Sequence, residues 1–254
     1  MNELKLFHIG ITRDQGAEYA ILTGDPGRVE SIADRLDSPH RLAYNREFNS
    51  FVGTLCGERV IVISTGIGGP SAAITLEELS MAGLRYAVRI GTCGAMQPDI
   101  IPGTLIVPTA AVRMEGTSKE YAPIEFPAAA DHSVVTALVD AVKKTAQPYR
   151  VGVIQSKDSF YGQHSPETMP VDYELNNKWN AWIKLGVLAS EMECAALFTV
   201  GAVRGVKMGC VLHALWNQER KKLGIADNDS FDMSAPIKVA VDALKTIIKE
   251  NKNG

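Results

Sequence analysis

The chain is expected to fold as a three-layer α/β/α domain, with a mixed central sheet flanked by helices and one domain over residues 1–254. Three observations predict it. Short β-branched runs alternate with helical patterns. Glycine-containing turns follow several of those runs. A length of 254 residues with 46% hydrophobic content suffices for one large core.

The segments "YAILTG", "FVGTLC", "RVIVIST", "YAVRIG", "TLIVPTAAV", "RVGVIQS" and "VKMGCVLHAL" read as strands. "DPGRVESIADRL" and "GPSAAITLEELSMAGL" read as helices with Pro26 and Pro70 in their first turns. "DHSVVTALVDAVKKTAQ", "NNKWNAWIKLG", "EMECAALFTVGAVRG" and "DMSAPIKVAVDALKTIIKEN" complete the helical set. Alternation of the two kinds of segment argues for a largely parallel sheet with ligands at its strand ends.

Lys and Arg total 26 against 29 acidic residues, and the net charge of −3 offers no field for nucleic acid or an anionic membrane. A small-molecule ligand is therefore expected. Cys56, Cys93, Cys194 and Cys210 lie far apart, which suits reduced thiols and neither a disulfide framework nor a zinc ribbon. The opening "MNELKLFHIG" has no extended apolar region, and a cytoplasmic location is the expectation.

Three turns stand where strands hand over: "TGDPGR", "STGIGGPS" and "RIGTCGA". "GIGGPS" starts as a dinucleotide fingerprint, but Ser71 replaces the third glycine and no acidic residue closes the following strand. "GDPGRVE" lacks the Lys-Ser/Thr pair of a nucleotide-phosphate loop. The turns carry arginine instead. Arg89 is the one charge inside "YAVRIG", and its burial demands an anionic partner. With Arg28, Thr92 and glycine N–H groups it would suit a small metal-free oxyanion such as phosphate. The alternative pairs Arg28 with Glu30 or Asp34 on a solvated face and Arg89 with an internal acid.

In "ASEMECAALF", Glu191 and Glu193 lie two residues apart at the expected start of an apolar helix, so they cannot share a face. One can favour the helix N-terminus while the other faces a pocket, where a carboxylate suits vicinal hydroxyls and a sugar cation. Helix capping by both is the competing account. The five histidines form no metal-ligand spacing; His8, in "LFHIGIT", is the one amid apolar neighbours. Arg46 and Glu47 flank an aromatic in "AYNREFNSF", and Phe160, Tyr161 and Gln163 offer aromatic surface and an amide in a Gly/Pro-punctuated loop.

Together "FHIGIT", "GDPGRVESIA", "NREF", "STGIGGPS", "RIGTCGAMQPDIIPG", "VRMEGTSKEYAPIEFPA" and "EMECAAL" resemble the uridine phosphorylase branch of the nucleoside phosphorylase superfamily, in order from about Phe7 to the last helix. The resemblance implies a phosphate site of Gly24, Arg28, Arg89 and Thr92, joined by Arg46 from a neighbouring subunit. It implies His8 at the ribose 5′-hydroxyl across the same interface, Met192 and Glu193 on the ribose, and Glu191 as a supporting acid. Phe160, Gln163, Gly94, Asn217 and Gln218 would surround the base. It further implies a monovalent cation such as potassium at Glu47, Ile67 and Ser71 between paired subunits, a homo-hexamer with shared sites, and no cofactor besides phosphate as co-substrate.

Two departures stand out. The family's arginine after the loop glutamine is replaced by His164 or Ser165, and the one after the late-strand asparagine by Gln218; Arg220 lies close enough to substitute. Purine-specific relatives carry an aspartate where Asn217 stands, which keeps the balance toward a pyrimidine. The expected activity is reversible phosphorolysis of uridine, with Arg89, Glu193 and Arg28 as the catalytic groups. A purine nucleoside phosphorylase and a non-catalytic nucleoside-binding member are the alternatives.

Overall fold

A computed structural model describes residues 4–253. One mixed sheet joins β1 (Tyr19–Thr23), β2 (Asp37–Asn45), β3 (Phe48–Leu55), β4 (Glu58–Ser64), β5 (Tyr86–Ala95), β6 (Leu105–Met114), β7 (Ala128–Ala129), β8 (Tyr149–Lys157), β9 (Ala189–Glu191) and β10 (Lys207–Asn217). The helices are α1 (Val29–Ala33), α2 (Gly69–Met81), α3 (Thr117–Tyr121), α4 (His132–Val142), α5 (Phe160–His164), α6 (Asp172–Lys184), α7 (Cys194–Arg204), α8 (Gln218–Lys222) and α9 (Ser234–Asn253).

Why the central strands read as unbroken apolar runs is visible in their two faces. Ala20 and Leu22 of β1, with Ile61 and Ile63 of β4, pack with Leu76 of α2 and Leu197 of α7. Their alternates Tyr19, Ile21, Val60 and Val62 pack with Leu138 of α4 and Leu244 of α9. A strand covered on both sides has no polar face to show.

The strand order is β10-β6-β8-β9-β5-β1-β4-β3-β2, and β10 also pairs with β5. That extra pairing closes β5, β10, β6, β8 and β9 into a ring, while β1, β4, β3 and β2 extend from it as an open sheet. The expected preponderance of parallel pairs is corrected. β1–β4, β1–β5, β10–β5, β6–β8 and β8–β9 are parallel, whereas β2–β3, β3–β4, β10–β6, β5–β9 and β6–β7 are antiparallel. Tight turns rather than crossover helices join β2 to β3 and β3 to β4, and such turns permit only antiparallel neighbours.

Two further differences bear on function. The late apolar helix starts at Cys194, not Glu191: Ala189–Glu191 pairs with β5 and β8 as a short strand, and Glu193 is the residue preceding the helix. After Asp25, Pro26–Arg28 form a single 3-10 turn ahead of the five-residue α1. β2 escapes sequence reading because its residues are exposed or half-buried, with no apolar period.

No helix among the described residues is long and apolar enough to cross a membrane. Cys93, Cys194 and Cys210 are buried, Cys56 is half-buried, and all four are free thiols.

Close packing of β10 on α4 gives a stability test. A Cβ at Gly209 would overlap Val134 and lie 3.1 Å from Leu138. Gly209→Ala is expected to cost about 1–3 kcal/mol, read from the urea midpoint, because an overpacked helix–sheet contact must shift to admit the methyl group.

Candidate active site

The carboxyl ends of the mutually parallel strands β1, β4, β5 and β10, joined by the end of β8, open on one cavity of 670 Å³. At one side lie Gly24 after β1, Arg28 in the following turn, and Arg89 and Thr92 of β5. Met192 and Glu193 line it from the link into α7, and Phe160, His164 and Trp216 form an aromatic wall. His164 sits 4.3 Å from Phe160 and 5.6 Å from Trp216 between ring centroids.

Arg89 organises the floor. Its side chain is 4% exposed, and its Nη2 donates to a Glu193 carboxylate oxygen, with Glu191 Oε2 3.8 Å from Nη1. Carboxylate neighbours hold its guanidinium charged against burial, the largest opposing influence. Its Nε is a buried donor without a partner among the described residues. Gly91 makes this posture possible, since any Cβ there would overlap Arg89 Nη1.

The two glutamates divide their labour. Glu191 accepts from the Glu193 N–H at 2.8 Å, from the Cys194 N–H at 3.0 Å and from the Ser156 hydroxyl, so it closes the N-terminus of α7. Glu193 accepts the Gly68 N–H at 2.7 Å on one oxygen and Arg89 on the other. Gly68 can aim its N–H there because its φ of 93° is open to glycine. Burial pushes the Glu193 carboxyl up, and Arg89 opposes the shift.

Arg28 stands 3.6 Å from Asp25, not against Glu30 or Asp34, and the pair is partly exposed. Glu47 lines the cavity, accepts from the Ser71 hydroxyl at 2.8 Å and is held below the usual carboxylate range by its own backbone N–H and then by Ser71. Ile67 is 78% exposed beside it. His8 and Arg46 do not line the cavity of their own chain. The His8 ring meets Glu78 at 2.6 Å, and Arg46 is exposed in the β2–β3 turn with a φ of 54°.

Three expected base contacts make hydrogen bonds within the chain. Asn217 spends both amide protons on the carbonyls of Gln97 and Ile100, at 2.8 Å each, and its oxygen caps α8. It leaves no group for a base, and its contrast with aspartate says nothing about pyrimidine or purine. Gln163 gives its carbonyl oxygen to the Ser190 hydroxyl at 2.7 Å and directs its amide at Gln218, 3.3 Å away. Gln163 and Gln218 face an adjoining cavity of 190 Å³ instead. Arg220 is locked by two bonds to Asp227 and one to the Pro98 carbonyl. Phe160 and Gly94 do line the main cavity.

Lys157 and Trp216 were not singled out from sequence. Lys157 closes β8, lines the cavity, and donates to Ser190 Oγ at 2.8 Å. Burial pushes its ammonium down to about 8, against the pull of Glu191 and Glu193. The available signal was a charge at the end of the apolar strand "RVGVIQS", the criterion that drew attention to Arg89.

The phosphorylase superfamily matches residues 18–241. The chain belongs to that superfamily. Within it, the chain is 50% identical over 245 residues to the uridine phosphorylase of Treponema pallidum (strain Nichols), covering 96% of this chain and 95% of that one. It is 42% identical to the uridine phosphorylase of Salmonella typhimurium over 253 residues, 98% of this chain and all of the relative. A guanosine phosphorylase of Halorubrum lacusprofundi is 39% identical over 204 residues, 80% of each chain.

For this superfamily member the buried lysine carries a stability cost. Between about 8 and the ordinary 10.5 the unfolded chain binds more protons at Lys157 than the folded one, so stability contributed by this residue rises with pH across that window. Lys157→Met is expected to raise the urea midpoint at pH 7, with the gain shrinking as pH passes 8.

Proposed function

We propose that the protein catalyses reversible phosphorolysis of uridine to uracil and ribose 1-phosphate. The observation that carries the reading is Arg89, a buried guanidinium held charged by Glu193 and Glu191, which lines the cavity beside Arg28, Thr92 and Gly24. Near-complete overlap with uridine phosphorylases of two bacteria supports the choice of substrate.

In this reading, phosphate is held by Arg28, Arg89 and Thr92 and attacks C1′ of the ribose from the face opposite the base. The C1′–N bond breaks with its electron pair passing to the base, and the configuration at C1′ inverts. Glu193 accepts from the ribose 2′- and 3′-hydroxyls, with Met192 against the sugar, and its charge stabilises the oxocarbenium-like transition state. Phe160 stacks on the base, with Gly94 leaving room beside Trp216. Glu191 acts through position: it fixes the start of α7 and hence Glu193.

Arg46 and His8 are assigned to the site of a neighbouring subunit, within a hexamer built from such pairs. Neither residue lines the cavity of its own chain, which supports that assignment. A monovalent cation at Glu47, Ile67 and Ser71 belongs to the same proposal, supported by an ionised carboxylate beside a hydroxyl, the hard oxygen donors that such a cation takes.

A purine substrate is the second reading, favoured by the guanosine phosphorylase relative. Base release from uridine, guanosine, inosine and adenosine, with and without phosphate, separates the two. Uridine is expected to be cleaved fastest, and cleavage is expected to stop when phosphate is omitted. Arg89→Ala is expected to lower kcat/KM for phosphate about 10²–10³-fold, the scale of one lost electrostatic contact to the transition state; near-normal turnover at limiting phosphate would refute its role. Arg46→Ala and Arg89→Ala are each expected to be strongly impaired alone. Mixed after dissociation and reassembly, they should recover part of the activity, because some sites then draw intact residues from both chains; no recovery argues against shared sites.

A further inference from the structure

We propose that Lys157 is the cationic donor to a ring carbonyl oxygen of the bound base, and that it restricts the cavity to oxo bases such as uracil over amino bases such as adenine. The inference rests on the proposed cleavage of a nucleoside in this cavity and adds the group that recognises its leaving half.

Four observations converge on Lys157. It lines the cavity together with the aromatic wall of Phe160, His164 and Trp216. Arg220 is committed to Asp227 and the Pro98 carbonyl, so it brings no free cation to the cavity. Gln163 and Gln218 are turned toward each other, so they supply no charge. Finally, Ser190 is the one hydrogen-bond partner of Lys157 Nζ among the described residues, which leaves two of its three N–H groups unspent.

The donors form a one-way chain: Lys157 donates to Ser190, Ser190 to Gln163, and Gln163 to Gln218. Each acceptor is thus filled from the lysine side, which fixes the ammonium at the head of the chain. When the C1′–N bond breaks, the electron pair spreads over the ring and its carbonyl oxygens, and an ammonium hydrogen bond stabilises that anion. No proton need be transferred; the free base takes one from water. An exocyclic amine offers this ammonium a donor in place of an acceptor, which disfavours adenine.

Charged groups around Lys157 define its pH response. Glu191 and Glu193 favour its ammonium, Cys93 and His164 lie within its electrostatic reach, and Lys222 shares the adjoining cavity. With its ammonium at about 8, wild-type kcat/KM on uridine is expected to fall above that pH.

The test compares wild type, Lys157→Met and Lys157→Arg on uridine, 5-fluorouridine and adenosine. Lys157→Met is expected to lose about 10- to 100-fold in kcat/KM on uridine, the scale of one charged hydrogen bond. It should lose less on 5-fluorouridine, whose fluorine already stabilises the departing anion, and should gain on adenosine, whose amine no longer meets the ammonium. Lys157→Arg is expected to restore activity and remove the alkaline fall, since its guanidinium stays charged. Activity of Lys157→Met within threefold of wild type, or an equal loss on all three nucleosides, would overturn the proposal, and so would an alkaline fall that persists in Lys157→Arg. Should wild type release no base in phosphate, the reading as a phosphorylase fails separately. Calorimetry with free uracil then decides this inference: about tenfold weaker binding by Lys157→Met supports it, and equal affinity or no binding by wild type overturns it.

Discussion

The pairing of Arg89 with Glu193 is the interaction on which the rest of the site depends. A guanidinium that is 4% exposed inside a β-strand is tolerable only beside carboxylates. Everything around it serves that requirement. Gly91 clears the space for the guanidinium, Glu191 holds the backbone that presents Glu193, and the positive φ of Gly68 lets its N–H satisfy the second Glu193 oxygen. The pair leaves Nε as a buried donor without a partner among the described residues.

The same logic explains the sheet. β5 reaches β1 and β10 along its length and β9 at its end, so its last residues pass from an open sheet into a closed ring. At that transition the strand ends diverge, and the cavity occupies the gap. Arg89 and Thr92 come from β5, Gly24 follows β1, and Lys157 ends β8, so separate parts of the chain bring their charges to one rim. Two cations and two carboxylates, Arg89, Lys157, Glu191 and Glu193, are buried together there, and their near-cancellation limits what the core must tolerate.

Lys157 differs from Arg89 in the cost it carries. Arg89 is held charged by its partners, whereas burial draws the ammonium of Lys157 down to about 8. A buried lysine beside Glu191 and Glu193 in a cavity wall balances their charge at the cost of its own desolvation.

The class of fold, the central strands and the need of Arg89 for an acidic partner are legible in the sequence. Apolar runs buried on both faces are legible as strands, and a lone arginine within such a run demands an acid whatever the topology. Gly24, Arg28, Thr92, Met192 and Phe160 were legible as well, because glycine turns and motif order survive in one dimension. Only the tertiary structure decided which of two nearby glutamates meets Arg89, since that depends on where a three-residue strand ends and α7 begins. It alone decided the hydrogen-bond partners of Gln163 and Asn217, because side-chain amides choose among partners distant in the chain: Ser190 for Gln163, and the carbonyls of Gln97 and Ile100 for Asn217. It alone brought Lys157 to the cavity, because no local pattern says which strand ends will share a rim.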